Sequence, residues 1–135
     1  MNRNDHFQQL LATASAQLER QRLLFVFAVA ELPDDATPDQ KERFRRGEGG
    51  SLAPLMCVDK APSDLADFSS LVAEARQAGP PWQVVFAASL SGRGGKQPAK
   101  ASIDQALQTM VEAVRGGQID RFAAYGTKGE FLEIR

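Results

Sequence analysis

The sequence contains one cysteine, Cys57, and one histidine, His6, among its 135 residues. A single cysteine excludes an internal disulfide and any metal cluster built from cysteines. A serine–histidine–aspartate triad or a histidine-based metal site would have to use His6, which lies near the N-terminus, and we do not expect either. The composition therefore predicts neither a metal nor a cofactor. Cys57 stands in an apolar run and is expected to be a buried structural residue.

Long apolar segments are also missing. No run approaches the roughly 20 apolar residues that a membrane-spanning helix needs. The N-terminal region carries His6, Gln8 and Gln9 where a signal peptide would have an apolar stretch. A single unpaired thiol is typical of a reducing compartment. These absences predict a soluble, cytoplasmic protein with no membrane partner.

Neither sign of charge is in clear excess, since the formal net charge is -1. That balance disfavours binding of nucleic acid across the whole surface, although it allows a local basic patch. Hydrophobic residues make up 43% and charged residues 24% of the chain, which are ordinary values for a globular protein. The length suits a single domain covering residues 1–135.

Three apolar runs and two shorter ones predict the strands of this domain. Two of the three long runs lack polar alternation, which is typical of strands covered on both faces. Helical patterns separate the long runs, and a glycine-rich turn joins the two short ones. We therefore predict an α/β fold with a mixed sheet of about five strands, three of them parallel and two forming a C-terminal antiparallel hairpin, with helices on both faces. The predicted strands are residues 23–30, 52–58, 83–90, 119–125 and 130–134, and the helices are residues 5–20 and those starting at Thr37, Ser63 and Ser102.

The segment that follows the third predicted strand is the strongest candidate for a binding site. It reads Ser91-Gly92-Arg93-Gly94-Gly95-Lys96. Its glycines allow backbone N–H groups to converge on an anion, and its arginine and lysine add positive charge. The alternative is a flexible surface loop kept soluble by its charges.

This loop matches no known nucleotide-binding motif. A phosphate-binding P-loop would have glycine where Leu90 stands, and serine or threonine where Gln97 stands. The dinucleotide motif also fails, because it requires glycine at position 97. ATP and NAD are therefore not expected as ligands.

Parallel strands would bring further polar residues to the same edge of the sheet. These residues follow the three long strands, although chains commonly become polar wherever a strand ends. An enzyme built on Glu31, Asp59 and Ser91 would need those three side chains to converge. The candidate ligand-binding residues at this edge are Glu31, Asp59, Lys60, Ser91, Gly92, Arg93, Gly94, Gly95 and Lys96.

The chain resembles a family of small bacterial proteins without an established activity, many of which carry the label "ribonucleotide reductase subunit alpha". The resemblance implies a bacterial, cytoplasmic, stand-alone domain. A reductase catalytic subunit uses several redox cysteines in a large barrel domain, so the single Cys57 argues against that activity here. The stretches that carry the resemblance are residues 21–27, 30–37, 47–50, 54–60 and 89–95.

The sequence favours a small non-catalytic domain that binds an anionic small molecule or an acidic protein partner at the glycine-rich basic loop. The alternative is a protein-interaction or self-association module, and this leaves a homodimer open. Such a module would use the predicted hairpin at residues 119–134 or the surface near Trp82. A core position for Trp82 is the simpler interpretation of that residue.

Overall fold

In the described part of the chain, the three long apolar runs form the three longest strands of one five-stranded sheet. The computed structural model describes residues 6–133 of the chain. The sheet has the order β2-β1-β3-β4-β5, and every neighbouring pair is antiparallel. The strands are β1 (Gln21–Glu31), β2 (Ser51–Lys60), β3 (Val84–Ser91), β4 (Ala123–Gly126) and β5 (Phe131–Leu132).

Within residues 6–133, four α-helices and one short 3-10 helix connect or flank the strands. α1 spans ten residues and is shorter than the predicted 5–20 helix, whose first residue lies outside the described part of the chain. α4 begins at Lys100, before the predicted start at Ser102, and its N-cap Ala99 makes no side-chain hydrogen bond. In the described part of the chain no helix has the length and apolar character to cross a membrane. The helices are α1 (His6–Ser15), α2 (Pro38–Arg45), α3 (Phe68–Ala78) and α4 (Lys100–Arg115), with a 3-10 helix at Pro62–Asp64.

The prediction of three parallel strands is wrong. β1 pairs in antiparallel fashion with both of its neighbours, with Phe25 opposite Val58 of β2 and opposite Ala87 of β3. The reason lies in the connection between β1 and β2. A helix that joins parallel strands must cover the sheet with an apolar face, but α2 contains no buried residue. The chain therefore returns through residues 32–50 as a wide hairpin.

β1 lies at the centre of the core and is covered on both faces. Leu23, Phe25 and Phe27 face one apolar cluster, to which α1 and α3 contribute. Leu24, Val26 and Ala28 face a second cluster, to which α4 contributes. Its unbroken apolar sequence follows from this position, because residues on both sides of a pleated strand must be apolar when both faces are buried.

An aromatic contact joins the first described helix to the last strand. The ring of His6 stacks on Phe131, with centroids 3.8 Å apart. The Nδ1 atom of His6 lies 2.7 Å from the hydroxyl oxygen of Tyr125, a side chain with 0% exposure. Burial raises the pKa of Tyr125, because the charged phenolate would lose its hydration.

We predict that Tyr125 stays protonated in the folded protein at a pH where an ordinary tyrosine, with a pKa of about 10, ionises. It is the only tyrosine in the chain, so tyrosinate absorbance during an alkaline titration reports this residue alone. Because the folded pKa is raised, its contribution to stability is complete below about pH 10 and is lost as the pH rises further. A titration in denaturing urea provides the reference curve. A folded protein that titrates with that same curve would contradict the prediction.

Candidate anion-binding site

The direction of β1 decides which predicted site residues meet. β2 and β3 are both antiparallel to β1, so their last residues, Lys60 and Ser91, lie at the end of the sheet where β1 begins with Gln21. We call this the Gln21 end of the sheet. Asp59 and the loop after Ser91 also belong to this end.

Glu31 does not join them, contrary to the prediction. It is the last residue of β1 and pairs with Ser51 at the opposite end of the sheet. At about 3.3 Å per residue, the ten steps from Gln21 place it roughly 33 Å away. An enzyme built on Glu31, Asp59 and Ser91 is therefore excluded by the geometry.

The glycine-rich loop forms a tight turn, here called the 93–96 turn. The N–H of Lys96 donates a hydrogen bond to the carbonyl of Arg93 at 3.0 Å. Gly94 and Gly95 have φ angles of 60° and 76°, both in the left-handed region. Two consecutive left-handed residues define the type of turn for which glycine is preferred, since other residues are strained there.

A carboxylate of the protein itself occupies this turn. The N–H of Gly94 donates to Oε1 of Glu19 at 3.2 Å, and the N–H of Gly95 donates to Oε2 at 3.0 Å. Glu19 lies in the segment between α1 and β1, 75 residues before Gly94. Glu19 is not among the residues predicted for the site, because nothing in the local sequence links it to the turn. The arrangement shows that these two N–H groups are placed to bind a carboxylate.

Gly92 has a different role from the other two glycines. Its N–H donates to the carbonyl of Arg20 at 2.7 Å and so is not available to an external anion. A Cβ atom at this position would lie 1.9 Å from the carbonyl oxygen of Lys96. Gly92 therefore permits a close backbone approach that holds the 93–96 turn beside the start of β1.

The charged residues of the Gln21 end divide into paired and unpaired groups. Asp59 pairs with Nε of Arg22 at 2.6 Å, and Lys60 pairs with Glu74 at 2.6 Å. Arg93 and Lys96 are exposed and belong to none of the ion pairs in the described part of the chain. Two unpaired positive charges thus lie on the turn that also offers the two N–H donors.

Ser91 is engaged in a structural hydrogen-bond network. Its Oγ accepts a hydrogen bond from Nε2 of Gln21 at 3.0 Å, while Oε1 of Gln21 accepts one from Ser89 at 2.7 Å. Its hydroxyl also donates to the carbonyl of Gly92 at 3.2 Å. These contacts fasten the end of β3 to the start of β1, and they explain Ser91 without a catalytic role.

A small hollow lies beside Glu19. Its volume is about 330 Å³, and Glu19, Arg20, Gln21 and Gln97 contribute to its lining, whereas residues 93–96 do not. This volume is at the lower limit of ordinary small-molecule sites, which span about 300–1,000 Å³. A larger groove of about 650 Å³ lies between α4 and β3, away from the predicted residues of the turn.

Two further side chains have positions that bear on the sequence predictions. Cys57 is exposed, so the prediction of a buried cysteine is wrong. Partial desolvation and the charge of Asp59 raise the pKa of the Cys57 thiol, which disfavours the reactive thiolate. Trp82 is buried against Phe27, with ring centroids 5.0 Å apart, and its core position is confirmed.

No group of three or more histidine, cysteine or acidic residues able to hold a metal occurs among residues 6–133. A scan against protein-family models finds no match, and searches of curated proteins and of solved structures find no similar protein or fold. The resemblance to the small bacterial family therefore stays a prediction, and the geometry of the Gln21 end is the basis for the functional argument.

We predict that Gly92→Ala destabilises the protein by about 1–3 kcal/mol, because the new methyl group would collide with the backbone of Lys96. Chemical denaturation measures the change in the free energy of unfolding. Gly116→Ala is the matched control, since a Cβ there would meet no atom closer than 3.4 Å and the φ of Gly116 is -82°. The control should change stability by less than about 0.5 kcal/mol. Equal stability of the two variants would show that the close approach at Gly92 is not a constraint.

Proposed function

We propose that this protein is a small non-catalytic domain that binds an anionic small molecule or an acidic protein partner at the 93–96 turn. One observation carries the proposal: the two glycine N–H groups of the turn already hold the carboxylate of Glu19. A turn that accepts a carboxylate from within the chain offers the same donors to a carboxylate or phosphate from outside.

The unpaired cations strengthen this proposal. Arg93 and Lys96 flank the two N–H donors, and in the described part of the chain neither has an acidic partner. Hydrogen bonds from charged groups are roughly twice as strong as neutral ones, so an anion gains from both kinds of contact. The contrast with Asp59 and Lys60 is informative, because their charges are already neutralised by Arg22 and Glu74.

The alternative of an interaction module has less support. Trp82 is buried in the core and cannot serve as an exposed anchor. The outer strand of the hairpin, β5, is only two residues long in the described part of the chain, and Ile134 lies outside it. The long edge strand β2 contains Pro54 and pairs with β1 through a register shift, two features that discourage edge-to-edge pairing.

The cellular setting belongs to the proposal as well. A single cysteine supports a reducing compartment such as a bacterial cytoplasm. The exposed position of Cys57 suits a compartment in which thiols stay reduced, since an exposed thiol is open to oxidation elsewhere.

The test is a thermal-shift screen against phosphate, nucleotides, sugar phosphates and carboxylates. A ligand at about 100 times its dissociation constant should stabilise the fold by roughly 2.7 kcal/mol. The double variant Arg93→Ala/Lys96→Ala should lose that stabilisation, because it removes both unpaired cations of the turn.

The matched control is Lys41→Ala/Arg46→Ala, which removes the same amount of charge. Both control residues are exposed and lie on or next to α2, a helix without a buried side chain. The control should respond to ligands like the unmodified protein. If no anion stabilises the protein, or if both double variants respond alike, the proposed site is wrong.

A further inference from the structure

The carboxylate of Glu19 is held in the 93–96 turn by backbone groups alone. No ion pair of the described residues includes Glu19, and the two hydrogen bonds that its carboxylate accepts from the described residues both come from glycine N–H groups. The contacts lie at the exposed surface, where water competes for the same donors and weakens charged interactions. The carboxylate of Glu19 is therefore bound to the turn only weakly and can be displaced from it.

The turn carries more positive charge than Glu19 neutralises. Arg93 and Lys96 flank it, and both are exposed and belong to no ion pair of the described residues. These two positive charges and the one negative charge of Glu19 leave a net charge of about +1 on the turn. A ligand that displaces Glu19 meets both cations, which favours a ligand with more than one negative charge.

The hydrogen-bond pattern favours carboxylates over phosphates. Each N–H donor meets a different oxygen of Glu19, which is a two-point arrangement suited to a planar carboxylate. Phosphate loops bind with several convergent N–H groups, commonly at a helix N-terminus. Here the third nearby glycine N–H, that of Gly92, is already bonded to Arg20.

We propose that the ligand is a compound with two or more carboxylate groups, and that Glu19 is an internal competitor which one of those carboxylates displaces. This inference rests on the proposed function of the 93–96 turn. A hollow of about 330 Å³ is lined in part by Glu19 and Leu18, so it offers space for the displaced side chain. The polycarboxylate can be a small acid or a run of acidic residues in a protein.

The experiment compares the unmodified protein with Glu19→Gln, which removes the negative charge and keeps the size of the side chain. Calorimetry at fixed ionic strength measures the binding of three probes: citrate, a tri-glutamate peptide and inorganic phosphate. If Glu19 occupies the turn about nine-tenths of the time, its removal should tighten polycarboxylate binding roughly tenfold. Glu31→Gln is the matched control, because it removes the same charge at the opposite end of the sheet and should leave binding unchanged.

Amide NMR spectra of the ligand-free proteins show whether the Glu19→Gln variant is correctly folded. Glu19→Gln should move the Gly94 and Gly95 signals and leave the signals of the β1–β3 core in place. A spectrum without changes at these two glycines would show that Glu19 does not occupy the turn and would overturn the inference.

The binding results separate the inference from the proposed function. The inference is supported if Glu19→Gln binds citrate or tri-glutamate more tightly than the unmodified protein and if adding Arg93→Ala/Lys96→Ala abolishes this binding. The probe that binds more tightly then identifies the source of the carboxylates, a small acid or an acidic protein segment. If the unmodified protein and Glu19→Gln bind a probe equally well, and the double change abolishes that binding, Glu19 is not a competitor. The proposed function then remains in place. Phosphate binding that exceeds both carboxylate probes overturns the ligand class. If none of the three probes binds, the inference is overturned, and the proposed function is then decided by the thermal-shift screen. Binding that does not depend on Arg93 and Lys96 overturns both proposals.

Discussion

Burial of β1 on both faces is the constraint on which the rest of the structure depends. Phe25 and Val26, neighbours on opposite faces of this strand, are each 0% exposed. Full burial of such a side chain contributes about 1.5–3 kcal/mol, whereas a surface ion pair contributes about 0–1 kcal/mol. The helical layers are therefore arranged around β1, and surface charges adjust to that arrangement. Because β2 and β3 flank β1 in the opposite direction, their last residues meet where β1 begins, and this places the 93–96 turn beside the chain that enters β1.

The positions of the long strands could be predicted from the sequence, but their directions could not. A strand covered on both faces has the same continuous apolar pattern whether its neighbours are parallel or antiparallel. The segment between β1 and β2 indicates the antiparallel arrangement. Its helix, α2, has Phe44 as its one large apolar residue, so it has no apolar face with which to cover a sheet. The misplacement of Glu31 has the same origin, because the direction of its strand decided the end at which it lies. Cys57 lies on the edge strand β2, and its exposed side chain is not covered by the helices that bury both faces of β1.

Part of the candidate site could also be predicted. The left-handed φ angles of Gly94 and Gly95 require the residue type that drew attention to the loop, and the exposed Arg93 and Lys96 carry the expected charge. Glu19 could not be predicted, because its contact depends on how the segment between α1 and β1 lies against a turn 75 residues away. Local composition can indicate a turn that is able to hold an anion. It cannot indicate that another part of the same chain supplies one.

The contact between His6 and Phe131 brings together two parts of the chain that lie near opposite limits of its described length. The two residues belong to α1 and β5, which are far apart in the sequence. The 32–50 connection has the opposite character, because α2 buries no side chain and both apolar clusters lie outside that segment. A cut in the peptide chain there should leave both clusters and all four strand pairings of the described sheet in place, so the two fragments would stay associated as one folded domain.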